Sequence, residues 1–491
     1  MEVVVKETNL VLKIRLGSGA SKARLQRALE RLGGPYRVLR GPQPAGRTPH
    51  PRRESKNPPP ASDWVYYGPE EAYWGGRVKE IAINGSKPHL RDAGGWRQRL
   101  EASGLKVKPP GRSAEPAAGA AYLRRYAVSV LHLRALETRL LGHAGQSLPL
   151  PGNRPASDSP LWKRLESTAV RALYALGLDM GEVIISAGEE GKFTVDSLSL
   201  SPEIGSDAAA ERYARALREI MAEQERLLEA PMDRLIGMDP EFLLFDRDTG
   251  KVIPASRYLP FHGVAGCDVL RYRGQRLFPL AELRPKPGKE PREVVVHLLR
   301  ALREAGHAIE NRELIWQAGA MPQRGFPLGG HLHFSGVLLT PELLRTLDNY
   351  LALPLSVLED GRGAHRRPRY GFLGDFRRKE YGGFEYRTLP SFLVSPTVTK
   401  GVVALARLIT ENEGELTARP LEREEIFAAF YAGKKKPLQA VLPRLFADIQ
   451  AASAYPRYES YIAPLLTAAL SGRTWDETAD IRRAWKMQNP S

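Results

Sequence analysis

Between residues 230 and 395 the chain repeats one pattern, a polar pair at i and i+2 set between apolar neighbours. The four instances are Met238-Asp239-Pro240-Glu241-Phe242, Leu280-Ala281-Glu282-Leu283-Arg284, Gly330-His331-Leu332-His333-Phe334 and Phe384-Glu385-Tyr386-Arg387-Thr388. Side chains alternate faces along a strand, so each polar pair shares one face and the apolar residues the other. Charged groups on a covered sheet face cost free energy unless they are paired or bind metal. Four such strands together predict a single site on one face of an antiparallel sheet. Gly329-Gly330, ahead of the histidine strand, predicts a tight turn or a close approach to the backbone. Cys267-Asp268-Val269-Leu270 and Arg276 to Arg284 flank Gly274, a hairpin pattern that brings Asp268 towards Glu282.

Helical spacing dominates elsewhere. It predicts helices over Lys22–Leu32, ended by Gly33-Gly34, over Leu161–Ala175, over Ser206–Ala230 with Ser206 as N-cap, and over Arg292–Ala305. His297 on the last of these reads as a surface or core residue, not a ligand. Thr340 caps a helix with Pro341 at its first position, running to about Glu359. From Ser395 the pattern stays helical: Pro396 opens one helix, Gly414 and Gly433 end two, and Trp475–Met487 forms the last. Nothing chemical stands out there. Strands are expected at Val3–Leu16, Val78–Gly85 and Leu105–Val107. Gly41–Ser62, Pro109–Ser113 and Ser147–Pro160 read as linkers or breaks. Arg366-Arg367-Pro368-Arg369-Tyr370 to Lys379 reads as a mobile basic loop, either a plain surface or a phosphate clamp.

Composition narrows the class. With 42% hydrophobic and 26% charged residues the chain is an ordinary globular protein, and its 491 residues suit two or three domains. The net charge of +16 draws polyanions. Zinc-finger cysteines and an aromatic RNA-binding signature are absent from the sequence, however, so binding of nucleic acid is not expected. Cys267 is the only cysteine, which excludes an intrachain disulfide. The start does not read as a signal peptide and no run of 18 apolar residues occurs, so a cytoplasmic protein without membrane contact is expected. Carboxylates with imidazoles suit Mg²⁺ or Mn²⁺, and arginines suit phosphate.

The ordered motifs from Leu235 to Pro396 resemble those of the glutamine-synthetase-like carboxylate–amine ligase superfamily, in particular the amidoligases of phage and Gram-positive bacterial genomes. The resemblance implies an α+β fold, a curved antiparallel sheet with helices, preceded by smaller α/β modules. The expected divisions are residues 1–108, a module over 109–205, a linker helix over 206–230 and the ligase domain over 231–491. It further implies that Asp239, Glu241, Asp268, Glu282, His331 and Glu385 hold two or three Mg²⁺ or Mn²⁺ ions. His333, Arg284, Arg369 and Arg377 become contacts for ATP, while Glu385, Arg387 and His331 become the catalytic set. The implied reaction is ATP-dependent joining of a small-molecule amine to a carboxylate or peptide through an acyl phosphate. A guanidino-kinase-like phosphotransferase and a non-catalytic nucleotide- or polyanion-binding protein are the alternatives. A second resemblance concerns Leu178-Asp179-Met180-Gly181 and the strand after it, which are similar to the closing segment of an ATP-grasp domain. Ser197 and Ser199 stand where that family keeps metal ligands, which implies a truncated, inert module.

Overall fold

The computed structural model describes residues 8–16, 18–39, 64–69, 77–84, 95–109, 124–142, 147–148, 159–188, 192–200, 204–229, 233–272, 275–380 and 382–487. The expected linker at Gly41–Ser62, most of the two later breaks, and Gly274 lie outside them. The chain forms two compact units. One comprises Met1–Glu101 with Leu105–Pro231, the other Ala102–Gly104 with Met232–Ser491. No described helix is long and apolar enough to cross a membrane.

The first unit holds two sheets. Strands β1 (Thr8–Arg15), β2 (Tyr36–Leu39), β3 (Trp64–Pro69) and β4 (Arg77–Ile83) are ordered β2-β3-β1-β4. Helix α1 (Gly19–Leu32) follows β1, and the Ser18 side chain accepts the Ser21 N–H at its start. After α2 (Gly95–Ala102) come β5 (Arg124–Leu131), β6 (Arg134–Leu141), β7 (Ser147–Leu148), α3 (Pro160–Ala175), β8 (Met180–Ala187), β9 (Phe193–Ser199) and α4 (Asp207–Glu229). Strands β5 to β9 make an antiparallel sheet ordered β7-β6-β5-β8-β9. Leu12 and Tyr67 of the first sheet share one buried cluster with Leu131 and Met180 of the second and with Tyr213 and Leu217 of α4. Ser197 lies opposite Ile184 on β8. The nearby acids are already neutralised, Glu182 by Arg139 at 2.5 Å and Asp196 by Arg125 at 3.1 Å.

The second unit is α+β. Its strands are β10 (Leu235–Asp246), β11 (Lys251–Ile253), β12 (Ala265–Tyr272), β13 (Gln275–Leu283), β14 (Ile315–Gln317), β15 (Gly330–Ser335), β16 (Phe376–Arg378) and β17 (Phe384–Tyr386). They build a curled antiparallel sheet ordered β12-β13-β10-β15-β17-β16, with β11 and β14 also paired to β10. One face is apolar, as the alternation predicts: Phe242 stacks on Trp316 with ring centroids 4.6 Å apart, and Phe334 on Phe384 at 5.1 Å. Helix α5 (Pro291–Ala308) buries Val294, Val295, Leu298 and Leu302. The Thr340 cap and Pro341 open α6 (Pro341–Leu347), which continues through a π turn into α7 (Leu353–Leu358). The α8 helix (Pro396–Glu411) is buried along most of its length.

Two expectations are corrected. Of Trp475–Met487 only Ile481–Ala484 is α-helical. Tertiary hydrogen bonds break the pattern: Trp475 N–H donates to the Leu358 carbonyl, and the Glu477 carboxylate accepts the backbone N–H groups of Ala320 (2.6 Å) and Met321 (2.9 Å). The basic stretch after Glu359 is not a surface loop throughout. Arg366 and Arg367 are buried, and Arg367 forms a two-pronged pair with Glu359 at 2.9 and 2.8 Å. Phe376–Arg378 is a sheet strand. These partners sit at distances that local pattern does not encode.

Candidate active site

Register assembles the site. Asp239 faces His331 across β10 and β15, Glu241 faces Glu282 across β10 and β13, His333 faces Glu385 across β15 and β17, and Arg377 faces Glu385 across β16 and β17. Residues directly opposite one another share a sheet face. Asp268 pairs with Leu280, whose side chain lies on the Glu282 face. Six strands thus deliver their polar residues to one side. The glycines make this possible by absence of bulk. A side chain at Gly329 would collide with the His331 ring, and one at Gly330 with the Pro390 carbonyl oxygen. Gly266 leaves room for the Arg284 guanidinium.

Two groups of three donors result. The atoms offered by Asp239, His333 and Glu385 lie within 4.8 Å of one another, and so do those of Glu241, Asp268 and Glu282. His331 adjoins the first group, with Nδ1 2.9 Å from Asp239 Oδ1 and 3.3 Å from Glu385 Oε1. His333 Nε2 lies 2.8 Å from Asp239 Oδ2. His331 Nδ1, Asp239 Oδ1 and Glu385 Oε2 are buried and complete no aligned hydrogen bond. Buried polar atoms are nearly always satisfied, and Asp239 Oδ1 and His331 Nδ1, 2.9 Å apart, could face a shared cation. Oxygen donors joined by imidazole fit Mg²⁺ or Mn²⁺. The sequence resemblance put His331 among the ligands and His333 among the nucleotide contacts. In the structure His333 completes the three-donor group.

The two groups differ electrically. Burial opposes charge on Asp239, but the His331 and His333 imidazoles outweigh it and hold its carboxyl below the usual range. Burial also opposes charge on Glu385, and His331, Arg387 and Lys379 overcome it. In the second group burial and the neighbouring Glu282 push Glu241 well up, against the Gly329 N–H that donates to its Oε2 at 2.7 Å. Burial, then Asp239 and Asp268, push Glu282 up to about 8, although Arg284 pairs with it. Carboxylates crowded without a cation share protons in this way.

Cations rim the first group. Arg387 pairs with Glu385 and reaches Asp375 at 3.9 Å, Lys379 Nζ lies 2.6 Å from Glu385 Oε2, and Arg377 lies 3.6 Å from the same oxygen. Arg284 joins the second group, its Nη1 buried and unpartnered. Arg369 stands apart, exposed with its guanidinium over the Tyr370 ring at 5.3 Å. Local pattern does not single out Lys379, the Glu359–Arg367 pair or Glu477. Only the hairpin placing Lys379 two residues from Arg377 on one face could have signalled the first.

A row of carboxylates and imidazoles flanked by guanidiniums thus lines one face of an antiparallel sheet. The chain belongs to the phage phiEco32-like COOH·NH2 ligase type 2 family, whose model matches residues 236–487, just over half of its length. No curated protein matches it. Among solved structures it is similar to a bifunctional glutathione synthetase from Pasteurella multocida, with 13% identity over 54% of this chain and 51% of that one and a TM-score of 0.33. The chain thus spans about half the length of that enzyme. It is also similar to Plasmodium falciparum glutamine synthetase, with 10% identity, 64% and 77% coverage and a TM-score of 0.26. Apo GmaS matches with 14% identity, 74% and 94% coverage and a TM-score of 0.27.

Proposed function

We propose that the chain is an ATP-dependent ligase that joins a small-molecule amine to a carboxylate or peptide through an acyl phosphate. The observation that carries this reading is the pair of adjacent three-donor groups with cations on their rim. A carboxylate is a poor electrophile, and transfer of the ATP γ-phosphoryl group to it creates a leaving group that the amine displaces. Catalysis of such transfer is positioning and charge neutralisation. Asp239, His333 and Glu385, with His331 beside them, would hold one divalent cation. Glu241, Asp268 and Glu282 would hold another. Bound cations supply Lewis-acid stabilisation of the phosphoryl oxygens. Arg387 and Arg377 would orient the phosphates, and Arg284 a substrate carboxylate or phosphate. Arg369 would join them only by moving. Residues 231–491 would carry the chemistry, with the modules at 1–108 and 109–205 and the helix at 206–230 outside it. The test is ADP release from MgATP across a panel of amines and carboxylates, including acidic peptides. Release that requires both an amine and a carboxylate supports the ligase. Release, or a phosphorylated amine, without any carboxylate would overturn it.

A further inference from the structure

Glu385 is nearly inaccessible, yet three permanent cations address it. They are not equivalent. Arg387 is held by two carboxylates, Glu385 and Asp375. Arg377 is largely exposed and stays 3.6 Å from Glu385 Oε2. Lys379 alone is both close and singly held. Its Nζ sits 2.6 Å from Oε2, and that oxygen still lacks an aligned hydrogen bond. The backbone explains the approach: Lys379 N–H donates to the Gly383 carbonyl in the β16–β17 hairpin, so Lys379 is the diagonal neighbour of Glu385 on the site face. Lysine is a compact charge on a flexible stem, suited to moving between anions in a way the forked guanidinium is not.

Glu385 is also a member of the first donor group. An ammonium 2.6 Å from Oε2 and a divalent cation on the same carboxylate repel each other and share its charge, so the two compete for it. We propose that Lys379 is a displaceable counter-ion, seated on Glu385 until a divalent cation takes that oxygen and then released to contact the phosphate chain of the nucleotide. The release half rests on the ligase reading; the competition half does not. Lys379 would couple metal loading to nucleotide binding, because each makes the other's position available.

The test titrates Mn²⁺ alone, and separately Mg²⁺ with a non-hydrolysable ATP analogue, into the full chain and its variants by calorimetry. Lys379→Met should bind Mn²⁺ about three- to tenfold more tightly than the unmodified chain, and the analogue about tenfold more weakly. Arg377→Gln removes an equal charge that is not seated on the oxygen, so its gain in Mn²⁺ affinity should be clearly smaller. Lys379→Arg keeps the charge and should show no Mn²⁺ gain, while restoring binding of the analogue only in part because the guanidinium moves less readily, which also covers a Lys379→Met chain that folds poorly. Unchanged or weaker Mn²⁺ binding in Lys379→Met, an equal gain in Arg377→Gln, or unchanged analogue binding would each overturn the proposal. Absence of amine-dependent ADP release in the unmodified chain would end the ligase reading and leave the Mn²⁺ comparison standing.

Discussion

Asp239 and His331 stand directly opposite each other on neighbouring antiparallel strands, with Oδ1 and Nδ1 2.9 Å apart and neither atom in an aligned hydrogen bond. Had they fallen on opposite faces, the shared site would not exist. A close approach without an aligned bond leaves both atoms placed to face one shared cation. The same register carries Glu385 and His333 into the group on the next strand pair.

Without metal, stability should fall as pH rises from 5 to 8. Burial pushes Glu477 up to about 7 and, with Asp239 and Asp268, pushes Glu282 up to about 8. Near pH 6 the folded chain therefore keeps protons that the unfolded chain has released. This contribution is complete below the unfolded carboxyl pKa and is lost as pH passes the folded values. Each such proton is worth about 1.4 kcal/mol per pH unit. Thermal unfolding in EDTA across this range measures the slope, and Mn²⁺ should flatten it while releasing protons into weak buffer. A melting temperature in EDTA that climbs from pH 5 to 8 would contradict the assignment.

Gly330→Ala should destabilise the chain by roughly 1–3 kcal/mol, because the new methyl would overlap the Pro390 backbone oxygen. Gly414 has open space around it, and Gly414→Ala should stay within about 0.5 kcal/mol. Urea midpoints of the two variants give the comparison. Equal midpoints would mean that the backbone at Pro390 yields easily.

What sequence revealed, and what it hid, follows from range. The alternation in Asp239–Glu241, His331–His333 and Glu385–Arg387 is local, and register is fixed once one face must be buried. The polar face, the order of motifs and the pairing of β12 with β13 could therefore be read in advance. The Glu359–Arg367 pair could not, since an apolar helix end and a basic run give no sign that they meet. Glu477 was hidden for the same reason: its partners are the backbone N–H groups of Ala320 and Met321, and any residue has those. That His333 Nε2 also reaches Asp239 Oδ2, at 2.8 Å, is a matter of rotamer and not of pattern.

Arg367→Met should cost about 3–5 kcal/mol by leaving Glu359 buried without a partner. Arg369→Met, on an exposed side chain, should change stability by less than about 0.5 kcal/mol. Were both arginines parts of a mobile clamp, the two variants would melt alike and differ from the unmodified chain only in nucleotide affinity. Denaturation of the two side by side separates the cases.

Glu385→Gln tests the centre of the site. The change keeps shape and one oxygen but removes the charge on which Lys379, Arg377, Arg387 and His331 converge. A cation held at the first group would contribute several kcal/mol to stabilising developing charge. Because each ~1.4 kcal/mol is tenfold in rate, turnover should fall at least about a hundredfold. The cations hold Glu385 ionised, so the amide leaves them facing one another, and the metal-free melting temperature should drop, by the equivalent of roughly 1–3 kcal/mol. The variant should also lose part of the stabilisation that Mn²⁺ gives, since a ligand bound only to the folded chain stabilises it by its affinity. Thermal melts with and without Mn²⁺, beside a turnover assay, resolve the three effects. A variant that melts lower yet keeps its Mn²⁺ response and its turnover would make Glu385 an anchor for Arg387 and Lys379, with the cation bound by other groups.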